Sequence, residues 1–255
     1  MKRIIEKILL NFFPKLYLGL TRAQDSNDRY LFGFNLIKKI HKKDLNILDV
    51  GCGSGNFYAY VNSISKKIDY TGIDFDYEKI SKKKFYGKKN FKIISKDLRE
   101  NWNLNEYDIV WSSEVIEHLF DDKKFFNQLV KYTKKNGHII ITTPYLESYL
   151  SNANKYGWSV EPSKEEIVGH VKLGYTEKDL INFGVENNLK LVDIYFISEC
   201  NNFRSKYFFK LNNGLLCYIF NILYYIGILN FKRFSSNREK INKLNYFSIA
   251  AVYQK

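Results

Sequence analysis

Three closely spaced glycines in Leu48-Asp49-Val50-Gly51-Cys52-Gly53-Ser54-Gly55 close one apolar run and open the polar stretch after it. Glycine at that spacing lets the backbone turn tightly, enter φ > 0 and approach a ligand with no Cβ in between. Such a turn belongs between a strand and a helix of an open α/β sheet, at the edge where ligands bind. Two details separate it from a dinucleotide turn. The spacing is G-x-G-x-G rather than G-x-G-x-x-G, and the carboxylate of Asp49, two residues before Gly51, would repel a pyrophosphate.

The chain around this turn alternates short apolar runs with polar helical stretches, the pattern of βαβ units around a parallel sheet. Strands are expected over 45–50, 68–74, 91–95, 107–112, 137–143, 189–198 and 246–253. Helices are expected from near Gly55, Asp76, Glu114 and Asp121, with a capped one at Thr176-Glu177-Lys178-Asp179. Asp74 ends the second strand and Asp97 follows the third, so with Asp49 three acids stand at three strand ends. That crevice is electronegative. It suits S-adenosylmethionine, which carries a sulfonium and an ammonium against one carboxylate, and disfavours the pyrophosphate of NAD.

Four segments occur in order: Leu48 to Gly55, Gly72-Ile73-Asp74, Asp97-Leu98, and Tyr107 to Leu119 with its Glu114-Val115-Ile116-Glu117-His118. Through them the chain resembles the class I S-adenosylmethionine-dependent methyltransferases over residues 28–199 plus the last strand. The fourth segment is similar to the subgroup that contains the ubiquinone-biosynthesis O-methyltransferases. The resemblance implies a Rossmann-like α/β fold, a seven-stranded mostly parallel sheet with helices on both faces and the last strand antiparallel, and S-adenosylmethionine as cofactor.

It also implies roles. Asp49 accepts hydrogen bonds from the loop amides and holds the ligand's amino end, while Gly51, Cys52, Gly53 and Gly55 offer backbone atoms to the methionine part. Asp74 takes the two ribose hydroxyls, Phe75 lies beside the adenine, and Asp97 with Leu98 addresses the adenine edge, unless Asp97 simply opens a turn. The main chain at Ser113 passes the sulfonium side, and Arg29, with Arg22 second, matches an arginine that meets the cofactor. An oxygen nucleophile needs a base, for which His118 and His170 are the candidates. Glu114, Glu117 and His118 on one helical face would also allow a magnesium site, but the ordinary reading is a structural network and no metal is expected. Tyr145 is a further residue facing the pocket, whereas His41 and His138 read as structural.

Three parts lie outside this frame: an amphipathic N-terminal helix over 1–27, the long loop 144–175, read as a lid or substrate loop, and an apolar, aromatic helical insertion over 200–244 before the final strand at 245–255. The apolar part of the insertion, 215–231, is shorter than the about 20 residues that span a bilayer. It packs on the sheet edge or a second subunit in one reading, and lies in the plane of a membrane in the other. The 255 residues suit one domain with elaborations. The net charge of +13 comes from scattered lysines, a solvated-face pattern that speaks against nucleic acid as partner. Three cysteines without a paired spacing imply a reducing cytoplasm, with the inner face of the membrane as an alternative location. The expected activity is methylation of an oxygen on a small molecule, a glycan or a lipid-linked intermediate. The alternatives are a non-catalytic cofactor-binding or membrane-associated scaffold and, less favoured, an NAD-linked dehydrogenase.

Overall fold

The computed structural model describes residues 24–40, 44–62, 64, 68–75, 89–166, 169–199 and 234–255. In chain order its elements are α1 (Gln24–Ile40), β1 (Asn46–Val50), α2 (Phe57–Val61), β2 (Asp69–Asp74), β3 (Phe91–Ser95), β4 (Tyr107–Ser113), α3 (Asp122–Lys131), β5 (Thr133–Pro144), α4 (Leu146–Tyr156), α5 (Glu177–Glu186), β6 (Lys190–Glu199), β7 (Phe234–Ser236) and β8 (Tyr246–Gln254).

All the strands join one sheet in the order β3-β2-β1-β4-β5-β8-β6-β7. The first five are mutually parallel, and β8 runs antiparallel to both β5 and β6, so β6 points the same way as the parallel set. Chain order reverses between β1 and β4, and the crevice above their carboxyl ends is where such a sheet binds its ligand. The central strands are buried on both faces, as parallel strands covered by helices must be. Their period of two sorts the side chains. Ile47, Ile109, Trp111 and Ile140 pack with residues of α1 and α2, while Leu48, Val50, Val110, Ile139 and Ile141 pack with residues of α3 and α5.

The seven expected strands are all present. The eighth, β7, pairs antiparallel with the end of β6 and lies in the segment expected to be a helical insertion. The apolar stretch 215–231, the helix expected at Asp76 and all but the last four residues of the amphipathic helix expected over 1–27 fall outside the described residues. Helix α1 starts before the expected boundary at residue 28 and runs on to Ile40. The loop 144–175 is tied down rather than open: α4 occupies its first part, Ser148 Oγ donates to the Leu244 carbonyl at 2.9 Å, and Tyr145 bridges to Tyr175. Helix α5 starts at the expected place through a capping box, Thr176 with Asp179.

The helix expected from Glu114 does not form. Glu114 N donates to the Thr142 carbonyl at 2.9 Å, which prolongs the β4–β5 pairing by one residue, and Glu114 itself takes φ +55°. Only a single 3-10 turn, Ile116–His118, follows before Leu119 returns to extended backbone.

Candidate functional site

The glycine turn folds back over β2. The amides of Gly51 and Cys52 donate to the Ile73 carbonyl at 2.9 and 3.1 Å, and the amide of Gly53 donates to Asp74 Oδ2 at 2.7 Å. Gly51, Gly53 and Gly55 all have positive φ, and a Cβ at Gly51 would lie 2.3 Å from Val115 Cγ2. The turn is therefore held against the 3-10 segment after β4. The cleft between them is lined by the expected Gly51, Asp74, Phe75, Asp97, Leu98 and His118, together with Glu114, Val115 and Leu119.

The other expected residues stand around this cleft. Arg29, from α1, reaches Glu114 with Nε 3.7 Å from Oε1, which also accepts from Thr142 Oγ1 at 3.1 Å. Ser113 Oγ lies 2.8 Å from Thr142 Oγ1, so its side chain is turned to β5 while its backbone closes β4. Cys52 is buried, and Gly55 donates to the Cys52 carbonyl at 2.8 Å ahead of the five-residue helix α2.

Two carboxylates have other partners than expected. Asp49 is buried and takes no bond from the loop amides, which the Ile73 carbonyl and Asp74 occupy; its donor is the hydroxyl of Tyr70. Burial pushes its carboxyl up to about 7, against the lowering effect of the Tyr70 bond and with a further push from the charge of Asp74. Asp97, expected at the adenine edge, is clasped by Arg99, whose Nε lies 2.9 Å from Oδ1 and Nη2 2.5 Å from Oδ2, while the Arg99 amide closes a turn onto Oδ1 at 2.9 Å. Those bonds hold Asp97 below its ordinary range. Arg99 also reaches Glu166 Oε2 at 3.4 Å, and Glu166 Oε1 accepts from the Phe120 amide at 2.6 Å. Neither Tyr70 nor Arg99 was expected at the site; Arg99 was legible only as the third residue of an Asp-Leu-Arg-Glu turn.

The two candidate bases come together although 52 positions separate them in the chain. Their rings meet edge to face with centroids 4.7 Å apart. His118 Nδ1 lies 2.9 Å from the Gly169 carbonyl oxygen. A carbonyl only accepts, so Nδ1 carries the proton and the lone pair of the neutral ring sits on Nε2. His170 is held below its ordinary value by burial first and by His118 second. Beneath them Glu117 is 0 % exposed; its Oε2 accepts from Thr143 Oγ1 at 3.1 Å, and its Oε1 has no partner among the described residues. Burial, reinforced by Glu114, pushes Glu117 well above the ordinary carboxylate range.

The ligating atoms of Glu117, His118 and His170 lie within 4.8 Å of one another, a donor set that could hold a divalent cation. The set weighed in the sequence, Glu114 with Glu117 and His118, is not the one brought together, because the left-handed turn at Glu114 directs its carboxylate to Arg29 and Thr142. For an adenosyl cofactor the fit lies in the charge of the wall. Among the described residues Asp74, Asp97 and Glu114 line the cleft and no lysine or arginine does, which favours a cationic ligand and opposes a pyrophosphate.

The family model described as a methyltransferase domain matches residues 41–192. A ubiquinone biosynthesis O-methyltransferase of Pelagibacter ubique is 30% identical over 115 residues, covering 42% of this chain and 46% of that protein. A malonyl-[acyl-carrier protein] O-methyltransferase of Ilyobacter polytropus is 27% identical over 137 residues, covering 53% and 52%. The chain thus spans about half the length of the curated relatives it matches. Among solved structures, the N-methyltransferase NodS of Bradyrhizobium japonicum in complex with S-adenosylhomocysteine superposes with a TM-score of 0.53 at 13% identity, over 95% of this chain and 97% of that one; at that identity the likeness speaks for the fold. With the family match spanning more than half of its length, the chain belongs to the methyltransferase-domain family and has the fold of the class I S-adenosylmethionine-dependent methyltransferases.

Proposed function

We propose that this chain transfers a methyl group from S-adenosylmethionine to an oxygen of its acceptor, with His118 as the base. When bound, the cofactor supplies a methyl carbon already activated by its sulfonium. The glycine turn and Asp74 hold the ligand, Arg29 meets its carboxylate, and the acids of the wall favour its positive groups. His118 then takes the proton that a hydroxyl or carboxylic acid must lose. One observation carries the choice: His118 lines the cleft with Nδ1 committed to the Gly169 carbonyl, so the basic Nε2 is the nitrogen left for the acceptor. His170, neutral at pH 7 by its lowered value, packs against the other ring and fixes it. Relatives named for O-methylation agree with an oxygen acceptor.

The test uses a panel of phenols, catechols and carboxylic acids, with S-adenosylhomocysteine release and the gain of one methyl as readouts. His118→Gln should lower turnover about 10²–10⁴-fold while cofactor affinity stays nearly intact. Full activity in this variant would remove the histidine base. Activity lost on adding a chelator and restored by a divalent cation would give Glu117, His118 and His170 to a metal instead.

A second reading makes the acceptor lipid-linked. Ile197, near the carboxyl end of β6, pairs with Phe234 at the start of β7, so the described residues on either side of 200–233 lie on the side of the sheet that carries the cleft. Asp28 of α1 accepts from Ser198 Oγ at 3.2 Å, which brings the point where residues 1–23 join to the same edge. Both segments mix Phe, Tyr, Leu and Ile with Lys and Arg. Each basic side chain near an anionic leaflet contributes about 1 kcal/mol, and apolar burial adds a part that salt does not screen. The full chain should co-sediment with phosphatidylserine vesicles, less so in high salt, and less again with Phe12→Glu or Tyr224→Glu. Equal recovery of wild type and both variants in the supernatant would exclude membrane contact.

A further inference from the structure

Asp49 and Tyr70 form a buried pair under the glycine turn. Asp49 of β1 pairs with Gly72 of β2, and Tyr70 lies two residues earlier on that strand, on the same face and diagonal to the acid. A Cβ at Gly72 would lie 2.7 Å from Cys52 Sγ, so the turn itself roofs the pair. Tyr70 is 1 % exposed and Asp49 3 %. The phenol ring has little freedom: Phe91 stacks on it at 5.5 Å and 11°, and Tyr58 meets it at 5.4 Å and 62°. Among the described residues the Tyr70 hydroxyl is the one hydrogen-bond donor to the Asp49 carboxyl.

Resting on the adenosyl-cofactor reading above, we propose that Tyr70 is a positioning residue for the cofactor: its hydroxyl holds the Asp49 carboxylate in place beneath the glycine turn, as the counter-charge for the ligand's amino end. Among the described residues Asp49 has no other hydrogen-bonding anchor. Among the described residues the charged and titratable groups around the pair offer no substitute. Asp74 from the end of β2, Cys52 from the turn and Tyr30 from α1 all act on it as anions or neutral groups, Tyr58 from α2 touches only the ring, and β4 presents the indole of Trp111 opposite Asp49. A buried carboxyl without a donor prefers its neutral form, which cannot neutralise an ammonium. With Asp49 at about 7 the affinity for the cofactor rises as pH rises through that value. The Tyr70 bond lowers the value, so losing it moves the rise to higher pH.

The experiment titrates S-adenosylhomocysteine into the full chain by calorimetry between pH 5.5 and 8.5, for wild type, Tyr70→Phe and Asp49→Asn. The two histidines of the cleft are common to all three curves, so the differences report the pair. Wild type should gain affinity with a midpoint near 7. Tyr70→Phe should shift that midpoint up by about one pH unit, the size of one hydrogen bond to a charged group. Asp49→Asn should lose the step and bind weakly throughout. A Tyr70→Phe curve that coincides with wild type, or that is lowered by one factor at every pH, overturns the proposal, the second being what a structural defect alone would give. Should Tyr70→Phe fail to fold, an Asp49→Asn curve that keeps the wild-type step overturns it equally. Wild type that binds no S-adenosylhomocysteine at any pH would be a different failure, that of the cofactor reading itself.

Discussion

The carboxyl of Asp49 loses its water under the glycine turn and is pushed up to about 7, far above the range of a carboxylate in an unfolded chain. Between about pH 4 and 7 the folded state therefore holds the proton that the unfolded state has released, so stability falls as pH rises through this window, and the deficit persists above it. Asp49→Asn keeps an acceptor for the Tyr70 hydroxyl and removes the buried charge. Its melting temperature should exceed that of wild type by at least about 3 °C at pH 8 and match it near pH 4, in paired thermal scans. An equal or lower melting temperature at pH 8 would mean that the pair is more solvated than its burial implies. The acid was legible in the sequence from its place before the glycines. Its partner was not. Tyr70 reads as one more aromatic in an apolar strand, and only the β1–β2 register sets its hydroxyl against the carboxyl.

At the scale of elements, legibility followed locality. Parallel strands such as Asn46–Val50 and Tyr107–Ser113 are short, apolar and bounded by polar turns, so their position shows in the chain itself. The stretch after β4 has helical spacing in Glu114, Glu117 and His118, yet the bond from Glu114 N to the Thr142 carbonyl imposes a left-handed residue where a helix would begin. That bond belongs to β5, and nothing in the local spacing announces it. The same turn presses Val115 against Gly51, which separates two glycine variants. Gly51→Ala puts a Cβ 2.3 Å from Val115 Cγ2 at φ +74°, whereas a Cβ at Gly53, at φ +50°, has no atom of the described residues within 4 Å. Gly53→Ala should cost about 1 kcal/mol for the left-handed backbone alone, and Gly51→Ala about 1–3 kcal/mol more for overpacking. Urea unfolding of the two variants would measure this; equal losses would mean that Val115 yields freely.

Across the whole molecule the cleft is a meeting of distant parts. The Lys172 amide donates to the Glu117 carbonyl at 3.1 Å, and His118 Nδ1 donates to the Gly169 carbonyl, so the end of the loop 144–175 is stitched to the turn after β4. This stitching brings His170 to His118. Each histidine could be picked out by its neighbours in sequence, but their contact required the loop's path, which no periodicity encodes. The sheet order supplies the rest of the site, because β1, β2, β3 and β4 all end at one edge and deliver Gly51, Asp74, Asp97 and Glu114 to it. Among the described residues no helix is long and apolar enough to cross a membrane.

The proposed methyl transfer requires an adenosyl ligand at that edge, with Asp74 as its ribose acceptor. Calorimetry of S-adenosylhomocysteine binding to wild type and Asp74→Ala tests this most directly, with circular dichroism to verify the fold of the variant. Asp74 lines the cleft beside the Gly53 amide, where two ribose hydroxyls would each donate to a charged acceptor. Loss of those bonds should weaken binding by roughly 2–4 kcal/mol. Unchanged affinity in a folded Asp74→Ala variant would contradict the account.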